Sequence, residues 1–277
     1  MSKLKFSKMH GAGNDFMVIN AIESGFVPTK EQLTAWSDRN FGVGFDQLLL
    51  VQKPETAGAD FKYRIFNSDG SEVNQCGNGA RCFARFVLDN NLIENKTIKV
   101  ETGAGQMTLE VLDNGEVRVD MGVPEFRPGT IPLLQDTEKN FYKINVENTE
   151  YEFMAVAIGN PHAVFIVDDV AEFPVAELGR SLESHSYFPQ RVNVGFMQIL
   201  DKNSIKLRVY ERGAGETLAC GSGACAAVAC GINARLLTNK VKVMVSGGEL
   251  LIEWQGKGEH IFMTGPAVTV YKGELEI

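Results

Sequence analysis

No stretch of this sequence approaches the roughly eighteen consecutive apolar residues that a membrane-spanning helix needs, and Met1 to His10 contains no apolar core of a secretion signal. Basic residues are in the minority, 27 Lys and Arg against 35 Asp and Glu for a formal net charge of −8. They are scattered without a basic block, so the electrostatic footprint of a nucleic-acid binder is missing. Cysteine is sparse. Five in 277 residues, an odd number without a dense framework, fits reduced thiols in the cytoplasm better than a disulfide scaffold. There is also no Walker A loop, no His-Glu-x-x-His pair, no Cys-x-x-Cys pair and no dinucleotide fingerprint, so no motif calls for a metal or other cofactor. The expected partner is a small polar molecule, not a nucleic acid or a membrane. What the chain does have is a 44% apolar content and enough length to build two ordinary cores.

One pattern occurs twice. Glu72-Val-Asn-Gln-Cys76-Gly-Asn-Gly-Ala and Glu216-Thr-Leu-Ala-Cys220-Gly-Ser-Gly-Ala lie 144 residues apart, each followed by an apolar helical run. Other pieces align at nearly the same offset. Gly13-Asn14 matches Gly159-Asn160, Val43 to Gln47 matches Val194 to Gln198, and Thr102 to Gly105 matches Ser246 to Gly248. A period of about 140 residues is too long for a solenoid and suits two similar domains related by a pseudo-twofold axis.

Alternating or β-rich runs predict strands over 15–22, 47–52, 61–66, 98–101, 107–112 and 116–121, with counterparts over 162–167, 194–200, 205–210, 241–245, 250–254 and 260–263. Helices are expected near 30–38, 77–90, 175–183 and 221–236. The two helices after the cysteines are apolar around most of their circumference, so each should be buried on nearly all sides by a sheet curling round it. The fold class is therefore mixed α/β, with two pseudo-symmetric barrel-like domains, each a mixed sheet wrapped around a central helix. Arg127 to Lys139, with Pro128, Gly129 and Pro132, reads as the linker between the halves.

Each cysteine follows a strand and opens a helix through glycines that allow close approach of a ligand to the backbone. Backbone N–H groups at Gly77, Asn78, Gly221 and Ser222 could hold a carboxylate there, and the helix start favours a thiolate. Two such thiols on opposite faces of one α-carbon could invert it, one removing a proton as thiolate and the other supplying one as thiol. Two nearby thiols cannot both ionise easily, so a mixed pair is the natural resting state, each expected to titrate near working pH. Cys82, Cys225 and Cys230, inside the helices, read as packing residues.

Taken with Met9-His-Gly-Ala-Gly-Asn-Asp-Phe16, Phe66-Asn-Ser-Asp-Gly70, Gly159-Asn-Pro-His162 and Glu211-Arg-Gly-Ala-Gly-Glu-Thr217, both cysteine motifs make the chain resemble the diaminopimelate epimerases over essentially its whole length. The resemblance implies a cofactor-independent interconversion of LL- and meso-diaminopimelate, feeding lysine and peptidoglycan synthesis, with Cys76 and Cys220 as the two bases. It implies that His162 and Glu211 hold or polarise the reacting amino end, and that Asn14, Gln47, Asn67, Asn160, Asn193 and Arg212 read the distal amino-carboxylate. The final strand is expected to return to the first domain, dividing the chain into 1–120 plus 266–277, with Cys76, and 121–265, with Cys220. A homodimer is expected, with Tyr271 in the relevant C-terminal segment. Alternatives are a proline or hydroxyproline racemase-like enzyme, a thiol–disulfide redox protein, and a binding module without turnover.

Overall fold

The computed structural model describes residues 3–277. In chain order the elements are β1 (Lys3–Gly11), β2 (Asn14–Asn20), α1 (Lys30–Ser37), β3 (Gln47–Gln52), β4 (Phe61–Asn67), β5 (Glu72–Val73), α2 (Gly77–Asp89), β6 (Thr97–Thr102), β7 (Gly105–Val111) and β8 (Val117–Asp120). They continue through β9 (Tyr142–Val146), β10 (Thr149–Ala157), β11 (Pro161–Ile166), α3 (Val175–Glu183), β12 (Asn193–Asp201), β13 (Ser204–Glu211) and β14 (Gly215–Thr217). The last are α4 (Gly221–Asn233), β15 (Lys240–Val245), β16 (Gly248–Trp254), β17 (Ile261–Gly265) and β18 (Val268–Glu276). The chain forms two compact units, Met1–Val119 with Thr264–Ile277, and Asp120–Met263.

The units share one wiring. In the first, β1 and β2 form a hairpin, α1 crosses over to β3 parallel to β2, β4 returns antiparallel, and β6 joins β4 in parallel after α2. In the second, β10, β11, α3, β12, β13, α4 and β15 repeat these steps with the same strand directions. Each sheet is mixed because its parallel pairs need a helical crossover while its neighbours close through short turns.

The helix after each cysteine lies inside its own sheet. Helix α2 touches β1, β2, β3, β7 and β18, and α4 touches β10, β11, β12, β13 and β16, strands from widely separated parts of each unit's sheet. That enclosure explains why Ala80, Cys82, Phe83, Ala84, Phe86 and Val87, and likewise Ala224 to Cys230, are buried all round instead of along one stripe. Helices α1 and α3 cover the outer sheet faces. Leu33 packs with Met17, Ile19, Leu48 and Leu50, and Val175, Leu178 and Leu182 pack with Phe165, Val194 and Phe196. Among the described residues no helix is long and apolar enough to cross a membrane.

Three expectations change. Arg127–Lys139 is no linker, because it lies within the second unit and buries Ile131 and Leu133 in that unit's core. Strands β1, β5, β9, β10 and β14 were not anticipated, and β18 only through the family resemblance. Gln47 does not match Gln198, since Phe16 pairs with Gln47 in parallel where His162 pairs with Asn193. The structural counterpart of Gln47 is therefore Asn193. The shared Val-Gly-Phe tripeptide misaligned the halves by a few residues.

Candidate active site

Both cysteines are N-caps in extended conformation, Cys76 at φ −146° and ψ 111° and Cys220 at φ −115° and ψ 108°. Two residues into each helix the chain needs a glycine because its own strand comes too close. A Cβ on Gly79 would collide with the Tyr63 hydroxyl, and one on Gly223 would sit 3.0 Å from Val209 Cγ2. These second glycines thus serve the packing of α2 on β4 and of α4 on β13. Tyr63 also donates its hydroxyl to the Cys76 carbonyl at 3.3 Å.

In the first unit the Cys76 sulfur accepts the Gly79 N–H at 3.4 Å and donates to Asn14 Oδ1 at 3.9 Å. The Asn14 amide is held by its other end, Nδ2 donating to Asp46 Oδ2 at 2.8 Å, so its oxygen faces the sulfur and the Asn78 amide, 3.4 Å off. Asp46 is in turn fixed by Arg39 at 2.7 Å. Arg39 also grips Asp15; burial works against ionisation there, yet the bonds from Arg39 and Lys8 hold Asp15 down at about 2. Arg81, fully buried, donates to Asn78 Oδ1 at 3.0 Å and to the Pro266 carbonyl at 3.1 Å. Gln47 donates to Asn67 Oδ1 at 2.9 Å while its own Oε1 is buried with no partner among the described residues. Buried acceptors are rarely left unmet, so that oxygen is a candidate ligand contact.

The second unit uses the same frame with different chemistry. Where Cys76 donates to the Asn14 amide oxygen, the Cys220 thiol donates to the Glu211 carboxylate, Oε2 at 3.1 Å, and lies 3.6 Å from Ser222 Oγ. Thr217 donates to the other Glu211 oxygen at 2.5 Å. Burial first, then the Glu211 charge and its bond to the thiol, push Cys220 well above the ordinary thiol value. The expectation of a cysteine titrating near working pH fails here, because the sulfur is 4% exposed and faces a carboxylate.

His162 is 1% exposed, and burial, with Arg212 adding to it, lowers it to about 3, so it is neutral across the physiological range. Its Nε2 lies 2.9 Å from Asn160 Oδ1, an acceptor, which makes Nε2 the protonated nitrogen. Asn193 ties this strand to the Glu211-Arg212 turn, donating to the Pro161 carbonyl at 2.9 Å and accepting the Arg212 N–H at 3.0 Å. Arg212 Nη1 donates to the Gln190 carbonyl at 3.1 Å.

Within each unit, then, the expected residues gather near the helix start: Asn14 and Asn78 with Cys76, and Glu211 and Ser222 with Cys220. Gln47 pairs with Asn67, and Asn160 with His162. Sequence reading missed Asp46, Arg81 and Thr217, which orient Asn14, Asn78 and Glu211. Arg81 directly follows the first Cys-Gly-Asn-Gly-Ala turn, Asp46 lies within Val43 to Gln47, and Thr217 sits three residues before Cys220, yet none was given a role.

Overlaying the two wirings sets Phe16 against His162, Gln47 against Asn193, and Asn67 level with Glu211. The second unit thus carries an imidazole and a carboxylate where the first has a phenyl ring and an amide. Duplicated units that each cap a buried helix with a cysteine define an isomerase of the racemase and epimerase type.

The comparisons agree. The family model for diaminopimelate epimerase matches residues 6–127 and 154–270. A diaminopimelate epimerase of Chromobacterium violaceum is 57% identical over 275 residues, 99% of this chain and 100% of that one. One of Nitrosomonas europaea is 54% identical over 275 residues with the same coverage. Among solved structures, a hydroxyproline epimerase from Agrobacterium vitis superposes with a TM-score of 0.72 at 16% identity, covering 99% of this chain and 92% of that one. A Bacillus anthracis phenazine biosynthesis protein of the PhzF family gives 0.68 at 18%, covering both chains fully. These two share the fold. The chain belongs to the diaminopimelate epimerase family.

Proposed function

We propose that this enzyme interconverts LL- and meso-diaminopimelate by a two-base mechanism in which Cys76 and Cys220 serve opposite faces of one α-carbon. One observation carries the reading: each cysteine caps the start of a buried helix in the same frame, the Cys76 sulfur beside the neutral Asn14 amide oxygen and the Cys220 sulfur beside the Glu211 carboxylate. Burial and the Glu211 charge hold Cys220 as the thiol, and the Cys76 side has the neutral Asn14 amide in place of that charge. The buried Arg81 guanidinium near the start of α2 adds fixed positive charge on the Cys76 side, and its counterpart in α4 is the neutral Cys225.

In this mechanism Cys76 removes the α-proton while helix-start N–H groups stabilise the enediolate that develops on the carboxylate. Cys220 delivers a proton to the other face, and the roles reverse for the opposite isomer. Glu211 takes the substrate ammonium, and neutral His162, held by Asn160, contributes to the same end. Gln47, with its unmet buried oxygen, and Asn14, Asn67, Asn160, Asn193 and Arg212 recognise the distal amino-carboxylate. A ring-shaped proline substrate would leave that polar set without a partner, which favours diaminopimelate over the proline racemase reading. Working thiols of this kind belong in the reducing cytoplasm, where the product serves lysine and peptidoglycan synthesis.

Incubation with LL-diaminopimelate in deuterated water is expected to yield meso product carrying deuterium at the inverted α-carbon, followed by mass spectrometry. Inversion without deuterium, or turnover of proline alone, would refute the proposal.

We further infer a homodimer built on β18. Among the described residues β18 pairs only with β1, and its Val268, Val270 and Tyr271 are exposed on that open edge. An apolar sheet edge left in water invites association. Tyr271→Ala is expected to shift the sedimentation coefficient from dimer to monomer, and a wild-type protein that sediments as a monomer would exclude the dimer.

A further inference from the structure

The two cysteines are delivered by very short strands. After Glu72 and Val73 the chain leaves the sheet and reaches Cys76 three residues later, and after Thr217 it reaches Cys220 in the same number of steps. Strand β5 is held to β4 by only two facing pairs, Ile65 with Val73 and Phe66 with Glu72. Strand β14 has three, Val209 with Thr217, Tyr210 with Glu216 and Glu211 with Gly215. So little ladder cannot fix a sulfur to a fraction of an ångström.

A side-chain clasp reinforces each strand. Arg64 Nε donates to Glu72 Oε1 at 2.7 Å and Nη2 to Oε2 at 2.8 Å. In the other unit Arg208 Nε donates to Glu216 Oε1 at 2.6 Å and Nη2 to Oε2 at 3.0 Å. The same atoms pair in both. The register explains the match: each Glu faces the residue two places beyond the Arg, Phe66 or Tyr210, so Arg and Glu are diagonal neighbours on one sheet face. Each Glu precedes its cysteine by four residues.

The guanidinium is itself braced. Arg64 lies 4.8 Å over the Phe66 ring, and Arg208 Nη1 donates to the carbonyls of Val170, Ala171 and Phe173 at 2.8, 3.2 and 3.1 Å. A partly exposed ion pair adds too little to stability to account for one geometry kept twice. Its bidentate form adds direction, which is what a proton-transferring sulfur requires.

We propose that Arg64–Glu72 and Arg208–Glu216 are matched positioning clamps, each fixing the loop that carries its own cysteine. The proposal rests on the two-thiol reading, and its test separates the two. Glu72→Gln and Glu216→Gln keep volume while removing the charge. The swapped pairs Arg64→Glu with Glu72→Arg, and Arg208→Glu with Glu216→Arg, reverse it. Each variant is assayed for kcat and KM on diaminopimelate and, without substrate, for the iodoacetamide alkylation rate of Cys76 and Cys220 by peptide mass spectrometry.

Glu72→Gln is expected to lower kcat by about tenfold with KM changed less, and to alter the alkylation rate of Cys76 alone; Glu216→Gln should do the same for Cys220. In the first unit, where the guanidinium has no backbone ties to lose, the swapped pair should recover most of the lost kcat. Equal changes at both cysteines, or unchanged rates at both, would overturn the clamps. If the unsubstituted protein does not epimerise diaminopimelate, the reading of the substrate falls, and the alkylation rates decide the clamps alone.

Discussion

Cys76→Ala and Cys220→Ala are each expected to reduce epimerisation by about 10³-fold or more, the scale on which a positioned acid or base contributes. The double variant should lose little beyond either single one, because in the proposed mechanism the two thiols would act as a unit and removing either would already break the relay. The single variants should still differ in isotope exchange. With Cys220 gone, Cys76 can remove and return a proton only on its own face, so one stereoisomer should take up solvent deuterium with its configuration kept. With Cys76 gone, exchange should move to the other stereoisomer, more weakly, because Cys220 is buried against Glu211 and is held as a thiol. Stereoisomers separated by chiral chromatography and weighed after incubation in deuterated water give the answer. Retained epimerisation in either variant, or exchange of both isomers by a single remaining cysteine, would rule out the two-face arrangement.

Much of this frame was legible because it occurs twice. The repeated cysteine turn exposed the duplication, and the all-round apolar runs after Cys76 and Cys220 revealed helices enclosed by sheet. The strand runs at 47–52 and the helix at 175–183 fell where alternation and periodicity put them. What escaped was set by long-range pairing. Strand β18, rich in exposed side chains, shows no half-buried alternation, so only the family resemblance anticipated it; it is a strand because β1 lies beside it. Strand β5 is two residues long, below the length at which any pattern registers. Pro128, Gly129 and Pro132 signalled irregular chain correctly, but irregular chain can still be buried, as Ile131 and Leu133 are.

The site divides in the same way. Residues inside motifs, Cys76, Cys220, His162 and Glu211, could be named from type and spacing. Their protonation could not, because it depends on neighbours brought from other strands. A helix start alone favours ionisation of both sulfurs. Burial and the Glu211 carboxylate reverse that preference at Cys220, and only the paired β13 and β14 bring that carboxylate to the thiol. Asp46, which turns the Asn14 amide, lies 32 residues from it in sequence, and the Val43 to Gln47 segment that contains it says nothing of that pairing.

Glu211→Gln tests the asymmetry most directly. The amide keeps the shape and can still accept from Cys220 or Thr217, but it removes a negative charge 3.1 Å from the sulfur. Epimerisation is expected to fall by about 10²-fold, since the carboxylate that bonds the thiol, and that the proposed mechanism assigns to the substrate ammonium, is gone. The pH dependence of the thiol should move the opposite way from the loss of activity. The carboxylate repels a thiolate and favours the S–H form, so removing it lowers the pKa of Cys220, and alkylation of that cysteine should begin at a lower pH. Burial, the largest cause of the upward shift, remains, and the midpoint should still lie above that of an ordinary thiol. The same sign governs stability. A thiol whose folded pKa is raised contributes fully below the unfolded value, about 8.5, and loses that contribution as pH climbs from there toward the folded value. Wild-type protein should therefore lose melting temperature above about pH 8.5 more steeply than the Glu211→Gln variant, whose folded and unfolded values lie closer together. Alkylation of Cys220 at unchanged pH, with epimerisation intact, would show that the carboxylate neither holds the proton nor serves the reaction.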